Sequence, residues 1–164
     1  MNRVAVYAGT FDPVTIGHIW MIEQGIRLFD KLIIAVGLNP DKKPDFLLED
    51  RIQLLEKSTT SCKNITIKQY HNKFLVKYAE EVGARYILRG IRNPDDYEYE
   101  KTWRLVNGDL SPNITTVFLM PPREIAEISS STVKGLIGPE GWEEIVRKYV
   151  PECVLEKLKE RYRN

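Results

Sequence analysis

The chain has 164 residues, 43% hydrophobic and 29% charged, with a formal net charge of +1. This length is typical of one domain with a substantial core, so residues 1–164 are expected to form a single domain. There is no block of like charges, no long apolar segment and no signal-peptide pattern, so we expect neither a nucleic-acid nor a membrane partner. Cys62 and Cys153 lack a metal-binding spacing, and a reducing cytoplasm is the simplest compartment.

Apolar runs and helical periodicity alternate along the chain, which predicts alternating strands and helices. Strands are expected over residues 4–8, 31–37, 64–70, 85–88 and 115–120. Helices are expected over residues 17–30, 48–59, 74–82, 95–106, 129–136, 142–149 and 151–162. This order predicts an α/β fold, a Rossmann-like, doubly wound, five-stranded parallel sheet with C-terminal helices.

The first predicted loop, Y-A-G-T-F-D-P-V-T-I-G-H from Tyr7 to His18, links a strand directly to a helix. Gly9 has no Cβ, so the backbone can approach a ligand closely. A helix N-terminus presents free N–H groups and the positive end of a dipole, which suits phosphate. His18 is expected in the first helical turn, where it can donate a hydrogen bond to a phosphoryl oxygen.

Polar, glycine-containing or basic loops follow the first, second, fourth and fifth predicted strands, and ligands of such sheets bind beyond the carboxyl ends of the strands. Lys42 follows the second strand, and Arg89 and Arg92 follow the fourth. Here these cations can hold phosphates, although ordinary surface charge is the alternative for each. Arg89 is the strongest candidate because it abuts both a strand end and a glycine.

Three consecutive serines at positions 129–131 precede a predicted helix. Together with free N–H groups they would form a second anion cradle, and the alternative is helix capping, which needs only one of them. Glu100 lies in a helix of mixed character, where a solvated face is the alternative. No nucleophile is evident, and an inventory of hydroxyls, amides, cations and one histidine suits direct phosphoryl or nucleotidyl transfer.

The run G-T-F-D-P-x-T-x-G-H resembles the signature of the nucleotidyltransferase superfamily that carries an (H/T)-x-G-H motif, with Thr15 where many members have histidine. Further matches are N-P-D-K-K-P at 39–44, R-G-I-R at 89–92, D-Y-E-Y-E at 96–100, V-F-L-M-P at 117–121 and I-S-S-S at 128–131. In this order and spacing, the chain resembles the phosphopantetheine adenylyltransferases over nearly its whole length.

This resemblance implies transfer of the adenylyl group of ATP to 4'-phosphopantetheine, which gives dephospho-CoA and pyrophosphate in coenzyme A biosynthesis. It implies direct in-line attack, Mg²⁺ as cofactor with no protein ligand assigned to the metal, and a homohexamer. It also implies coenzyme A as a feedback inhibitor.

The resemblance also implies roles for individual residues. The catalytic set is Thr10, His18, Lys42 and Arg92. The substrate contacts are Thr10, Lys42, Leu75 and Arg89. The ATP contacts are Thr10, Phe11, His18, Gly90, Ile91, Arg92, Glu100, Ile125, Ala126, Glu127, Ile128, Ser129, Ser130 and Ser131. Ile125 and Glu127 stand where the family often has an aromatic residue and phenylalanine, so the packing of adenine is expected to differ.

Two other functions stay open. One is another nucleotidyltransferase, such as a glycerol-3-phosphate cytidylyltransferase or a nicotinamide mononucleotide adenylyltransferase, which share mainly the first loop. Thr15 and the serine run count against the cytidylyltransferase. The other is a non-catalytic nucleotide-binding module of the same fold, since a fold alone does not give a function. The intact set of Thr10, His18, Lys42, Arg89 and Ser129 counts against that module.

Overall fold

The structure, a computed structural model, describes residues 2–37 and 43–163. Strands and helices alternate along these ranges, as expected from the sequence. The elements are β1 (Val4–Gly9), α1 (Ile16–Leu28), β2 (Lys31–Gly37), α2 (Leu48–Ser58), β3 (Ile65–Tyr70), α3 (Leu75–Glu81), β4 (Tyr86–Gly90), α4 (Pro94–Leu110), β5 (Thr115–Leu119), α5 (Arg123–Ala126), α6 (Ser130–Gly135), α7 (Trp142–Val146) and α8 (Glu152–Arg161).

The five strands form one parallel sheet in the order β3-β2-β1-β4-β5. The predicted Rossmann-like α/β class is therefore confirmed. The chain leaves β1 toward β2 on one side and returns to β4 on the other, so the strand order reverses between β1 and β4. A reversal of this kind opens a crevice at the carboxyl ends of the strands, where ligands of doubly wound sheets bind.

Apolar side chains cover both faces of the sheet, which is why the central strands are nearly continuous hydrophobic runs. Ala5, Tyr7, Leu32 and Ile34 pack on one face with α1, α2 and the C-terminal helices. The opposite face packs against α3, with members Val6, Ala8, Ile33, Ala35, Val76, Ala79 and Ile87. Full burial of one large aliphatic side chain contributes roughly 1.5–3 kcal/mol, so these two layers fix the sheet that carries the loops.

Most element bounds differ from the sequence predictions by one or two residues, two helices differ by more, and one helix was not predicted. The helix expected over 95–106 is α4, which continues to Leu110 because Leu110 packs beside the cluster under α3. The single turn α5 is not predicted, since four residues show no periodicity. The helix expected over 142–149 ends at Val146.

A single domain over residues 1–164 stays a prediction. Within the described ranges, no helix is both long and apolar enough to cross a membrane.

Candidate active site

The loop between β1 and α1 is fixed by a reciprocal cap. Thr15 is the N-cap of α1, and its Oγ1 accepts the backbone N–H of His18 at 3.4 Å. In return, Nδ1 of His18 accepts the backbone N–H of Thr15 at 3.0 Å. This is a capping box with histidine in the place that Glu or Gln usually occupies. The neutral imidazole must therefore carry its hydrogen on Nε2, which leaves Nε2–H available to a ligand.

The environment of His18 keeps its imidazole neutral. Burial of the ring, together with the positive charge of Arg92, lowers the pKa of His18 to about 4. The ring lies against Phe11, with 4.9 Å between the ring centroids. At neutral pH the side chain is therefore an oriented, uncharged hydrogen-bond donor, as the sequence prediction for this residue requires.

The side chain of Phe11 packs against the same loop. Its side chain is fully buried, its φ is +51°, and its ring makes an edge contact with Tyr7 at 5.6 Å. A Cβ placed on Gly9 would lie 3.1 Å from the Phe11 ring, so glycine is needed for this close packing. The side chain of Phe11 is therefore closed to a nucleotide.

Arg89 and Glu100 are paired with each other. Nε of Arg89 donates to Oε1 of Glu100 at 2.8 Å, and a second guanidinium nitrogen bonds the same oxygen. Another nitrogen donates to the backbone oxygen of Ala8 at 3.0 Å. Glu100 is buried, so the alternative that it lies on a solvated face is wrong. The pairing accounts for the burial of this carboxylate, which would otherwise be costly.

Beyond β4, Arg92 forms a fork with Asp96, with its Nε 2.8 Å from Oδ2 and a terminal nitrogen 3.0 Å from Oδ1. Asn93 caps α4 by accepting the backbone N–H of Asp96 at 2.8 Å. Gly90 ends β4 beside Met21, and Ile91 donates its backbone N–H to Leu119 at 2.9 Å. These contacts hold the segment after β4 in one position beside the reversal point of the sheet.

Residues 125–131, called the serine segment below, pack on the first loop. Oγ of Ser130 donates to the backbone oxygen of Pro13 at 2.8 Å. The backbone oxygen of Ile128 lies 3.5 Å from where a Cβ on Gly17 would stand. Ser129 is the N-cap of α6 and accepts the backbone N–H of Thr132 at 3.0 Å, so one serine does cap the helix.

The other predicted members of this segment differ in exposure. Ile125 and Ala126 are half-buried on α5, whereas Glu127 and Ser131 are exposed.

A cavity of about 450 Å³ opens beyond the carboxyl ends of β1, β2 and β4. Among its walls are four residues that the sequence analysis selected: Thr10, Leu75, Arg89 and Glu100. His18, Arg92 and the serine segment do not line it. Instead, His18 and the serine segment contact the first loop at Phe11, Pro13 and Gly17. The predicted site therefore has two parts that share one loop.

Apart from Glu100, the wall that α4 contributes to the cavity was not predicted from the sequence. Glu100, Trp103, Arg104 and Asn107 all line it, and their spacing of i, i+3, i+4 and i+7 places them on one helical face. That spacing is a signal the sequence contains. Lys42 lies outside the described residues. Gly37, which precedes that segment, lines the cavity.

The donor set around the site does not form a protein cage for a metal ion. Within residues 2–37 and 43–163 there is no group of three or more His, Cys, Asp or Glu side chains that could hold one. Mg²⁺ is commonly held by substrate phosphates and water with few protein ligands.

The fold and the divided site can be compared with known proteins. A family model described as cytidylyltransferase-like matches residues 6–136, which is most of the chain. The protein is thus a nucleotidyltransferase of the cytidylyltransferase-like class. Three curated relatives narrow this class further, each named phosphopantetheine adenylyltransferase.

The relative from Chromobacterium violaceum is 56% identical over 96% of both chains. That from Neisseria meningitidis serogroup C is 54% identical over 95% of this chain and 92% of the relative. That from Caldanaerobacter subterraneus is 44% identical over 98% of both. The chain belongs to the phosphopantetheine adenylyltransferase family.

Solved structures share the fold at lower identity. A Plasmodium falciparum nicotinic acid mononucleotide adenylyltransferase complexed with NaAD has a TM-score of 0.76 and 15% identity, covering 100% of this chain and 99% of its own. The same enzyme complexed with APC has a TM-score of 0.71 and 13% identity, covering 98% and 96%. At this identity the likeness concerns the fold alone, so it does not favour a mononucleotide adenylyltransferase over the family identified above.

Proposed function

We propose that this protein transfers the adenylyl group of ATP to 4'-phosphopantetheine, giving dephospho-CoA and pyrophosphate in coenzyme A biosynthesis. Its membership of the phosphopantetheine adenylyltransferase family supports the reaction. The structural observation that carries this proposal is that both parts of the predicted site adjoin the first loop. Thr10 lines the cavity on one side of that loop, and His18 and Ser130 adjoin the same loop outside the cavity. Acceptor and donor therefore meet at this loop.

The acceptor occupies the cavity. Its phosphate lies at Thr10 near Arg89, which abuts the end of β4. Lys42, which follows β2 in the sequence and lies outside the described residues, is the further phosphate contact that the resemblance implies. Its pantetheine chain extends along Leu75 and Trp103, which offer an apolar wall of the kind that ligand cavities commonly have.

The nucleotide lies beside α1 and the serine segment. Its phosphates approach the N-termini of α1 and α6 and the Arg92 guanidinium. Gly90 and Ile91 provide further contacts at the end of β4, and Glu100 contributes from α4, where it also lines the cavity beside Arg89. Thr10 and Phe11, from the first loop, are the remaining ATP contacts that the resemblance implies. The adenine packs near Ile125, with Ala126, Glu127, Ile128, Ser129, Ser130 and Ser131 enclosing the nucleotide.

The chemical step is a direct in-line displacement. An oxygen of the 4'-phosphate forms a bond to the α-phosphorus of ATP, and the bond from that phosphorus to the bridging oxygen breaks. The electron pair leaves with pyrophosphate, so no covalent enzyme intermediate forms. Negative charge grows on the α-phosphoryl oxygens, where Nε2–H of His18 donates. Removing one such donor commonly lowers a rate about 10²–10³-fold.

A divalent cation is general in nucleotidyl transfer, and magnesium is the proposed ion. When bound with the nucleotide, it offsets negative charge on the phosphates. Asp12 is unsuited as its ligand, since its carboxylate already accepts two backbone N–H groups and Nζ of Lys134.

A homohexamer, feedback inhibition by coenzyme A and a cytoplasmic location stay predictions from the resemblance. Exposed apolar side chains on α4 and near β5, such as Leu105 at 62% and Met120 at 74%, support self-association.

The reaction is tested by pyrophosphate release from purified protein with magnesium and paired substrates. ATP with 4'-phosphopantetheine is compared with CTP plus glycerol 3-phosphate and with ATP plus nicotinamide mononucleotide. We expect release only with ATP and 4'-phosphopantetheine. Release with another pair would reassign the acceptor. Binding of ATP without release from any pair would favour a non-catalytic module.

A further inference from the structure

Arg51 on α2 is a buried cation that the proposed reaction does not use. It is only 1% exposed and is among the largest fully buried side chains. One terminal nitrogen donates to the backbone oxygen of Thr10 at 2.7 Å and to the backbone oxygen of Gly37 at 2.8 Å. Its Nε and its other terminal nitrogen have no hydrogen-bond partner within residues 2–37 and 43–163.

Among residues 2–37 and 43–163, no carboxylate is hydrogen-bonded to this buried guanidinium, and such a group is costly for packing alone. Asp12 and Glu49 act on Arg51 only through longer-range attraction. Burial lowers the pKa of Arg51, yet a guanidinium stays charged at neutral pH. A methionine or leucine would fill this buried position on α2 without the desolvation penalty. The position therefore retains a positive charge despite its cost.

The two carbonyl groups that Arg51 binds belong to residues that line the cavity. Gly37 is the last residue of β2, and Thr10 directly follows β1, so both lie at the carboxyl edge of the sheet. Carbonyl oxygens at this edge carry partial negative charge, which opposes an incoming phosphate. A cation bonded to both oxygens offsets that charge. In a low-dielectric interior, its own field also acts over a longer distance than in water.

We propose that Arg51 is a positioning residue for the phosphate of 4'-phosphopantetheine, which it favours by holding and neutralising the Thr10 and Gly37 carbonyl groups from beneath the cavity. The inference rests on the proposed function, because that function places the phosphate at Thr10. Arg51 acts through these carbonyl groups and not by touching the substrate. It also holds together the ends of β1 and β2 beside Thr10, where the proposed function places the substrate phosphate.

The test compares binding of 4'-phosphopantetheine with binding of pantetheine, which lacks the phosphate. Dissociation constants are measured by calorimetry for the wild type, Arg51→Met and Arg51→Lys. We expect Arg51→Met to weaken 4'-phosphopantetheine about tenfold or more, the usual effect of losing a charged hydrogen-bond donor, and to leave pantetheine unchanged. Arg51→Lys keeps the charge without the planar guanidinium, and its binding of 4'-phosphopantetheine should weaken less.

Leu55→Ala is the matched control, because Leu55 is fully buried on the same helix and does not line the cavity. It should destabilise the fold without changing the preference for the phosphorylated ligand. Equal weakening of both ligands by Arg51→Lys would show a purely structural role and overturn the proposal. So would unchanged binding of 4'-phosphopantetheine in a folded variant.

A second measurement covers the case in which Arg51→Met does not fold. The ³¹P resonance of bound 4'-phosphopantetheine is titrated in the wild type and Arg51→Lys. We expect the second pKa of the bound phosphate to be higher in the variant, and an unchanged value would contradict the proposal. If the wild type releases pyrophosphate and Arg51→Lys binds 4'-phosphopantetheine as tightly as the wild type does, only the role of Arg51 is refuted. Wild-type protein that neither binds 4'-phosphopantetheine nor releases pyrophosphate refutes the function as well.

Discussion

Lys134 on α6 donates a hydrogen bond from its Nζ to Oδ2 of Asp12 at 3.0 Å. Asp12 is itself buried and accepts the backbone N–H groups of Asp45 and Phe46, both at 2.9 Å. Nζ of Lys134 also lies 3.3 Å from Oδ2 of Asp45. One carboxylate thus connects three segments far apart in sequence, namely the first loop, the chain that leads into α2, and the helix that follows the serine segment.

Lys134→Met should leave the Asp12 carboxylate without its cationic partner. We expect a loss of about 1–3 kcal/mol in the free energy of unfolding, since a buried charged acceptor loses a donor. The KM for ATP should rise, because the serine segment keeps its bond from Ser130 to Pro13 but loses the second attachment to the first loop through Asp12. Urea unfolding and initial rates measure the two effects. Lys157→Met is the control, since Lys157 pairs with Asp50 at 3.3 Å away from the cavity. Equal effects of the two substitutions on the KM would contradict this account.

His18→Ala should lower kcat on the order of a hundredfold or more, because the proposed donor to the α-phosphoryl oxygens is removed. The dissociation constant for ATP should change little, since the donor acts mainly in the transition state. Steady-state kinetics and calorimetry check the two quantities. His71→Ala is the control, as His71 is exposed and is the other histidine of the chain. Near-normal turnover in His18→Ala would remove His18 from the mechanism.

The lowered pKa of His18 gives stability a specific pH dependence. The folded pKa is about 4 and the ordinary value is 6.5, so between these values the unfolded chain binds more protons at this residue. The contribution to the free energy of unfolding therefore rises with pH from about 4 to 6.5 and is fully present above 6.5. Unfolding by urea at pH 5 and pH 7 measures it in the wild type and in His18→Ala. A pH dependence identical in both proteins would place the folded pKa near its ordinary value.

Arg89→Ala and Glu100→Gln should be strongly coupled, since the two side chains satisfy each other beside the cavity. Arg89→Ala leaves a buried carboxylate unpaired, so it should both destabilise the fold and raise the KM for 4'-phosphopantetheine. In a double-mutant cycle we expect a coupling free energy of about 0.5–3 kcal/mol. Glu98→Gln, on the exposed side of the same helix, is the matched control and should show no coupling to Arg89. Additive effects at positions 89 and 100 would count against the pair.

The sheet could be predicted from the sequence because each strand is a short apolar run between helical patterns. The β2 prediction over 31–37 agrees with the structure at both ends. The first loop could also be predicted, since its glycine, threonine and histidine act locally. Contacts between distant segments could not. The bond from Ser130 to Pro13 and the pairing of Arg89 with Glu100 arise only when crossovers bring their elements together.

Arg51 was overlooked for a different reason. It lies three and four residues before Leu54 and Leu55, so helical spacing places it on the buried face of α2. A charged residue on that face is informative, but its meaning depends on two carbonyl groups at the ends of other elements. Periodicity identifies the burial, and only the folded chain identifies the partners.

The contribution of α4 to the cavity bears on how this scaffold could acquire new acceptors. Trp103 and Asn107 line the cavity from a helix that lies outside the first loop and the serine segment. Substitutions at these two positions can reshape the cavity proposed for the acceptor without altering His18 or its cap. Directed evolution confined to this helical face should therefore yield enzymes that adenylylate other phosphorylated small molecules with the ancestral nucleotide machinery intact.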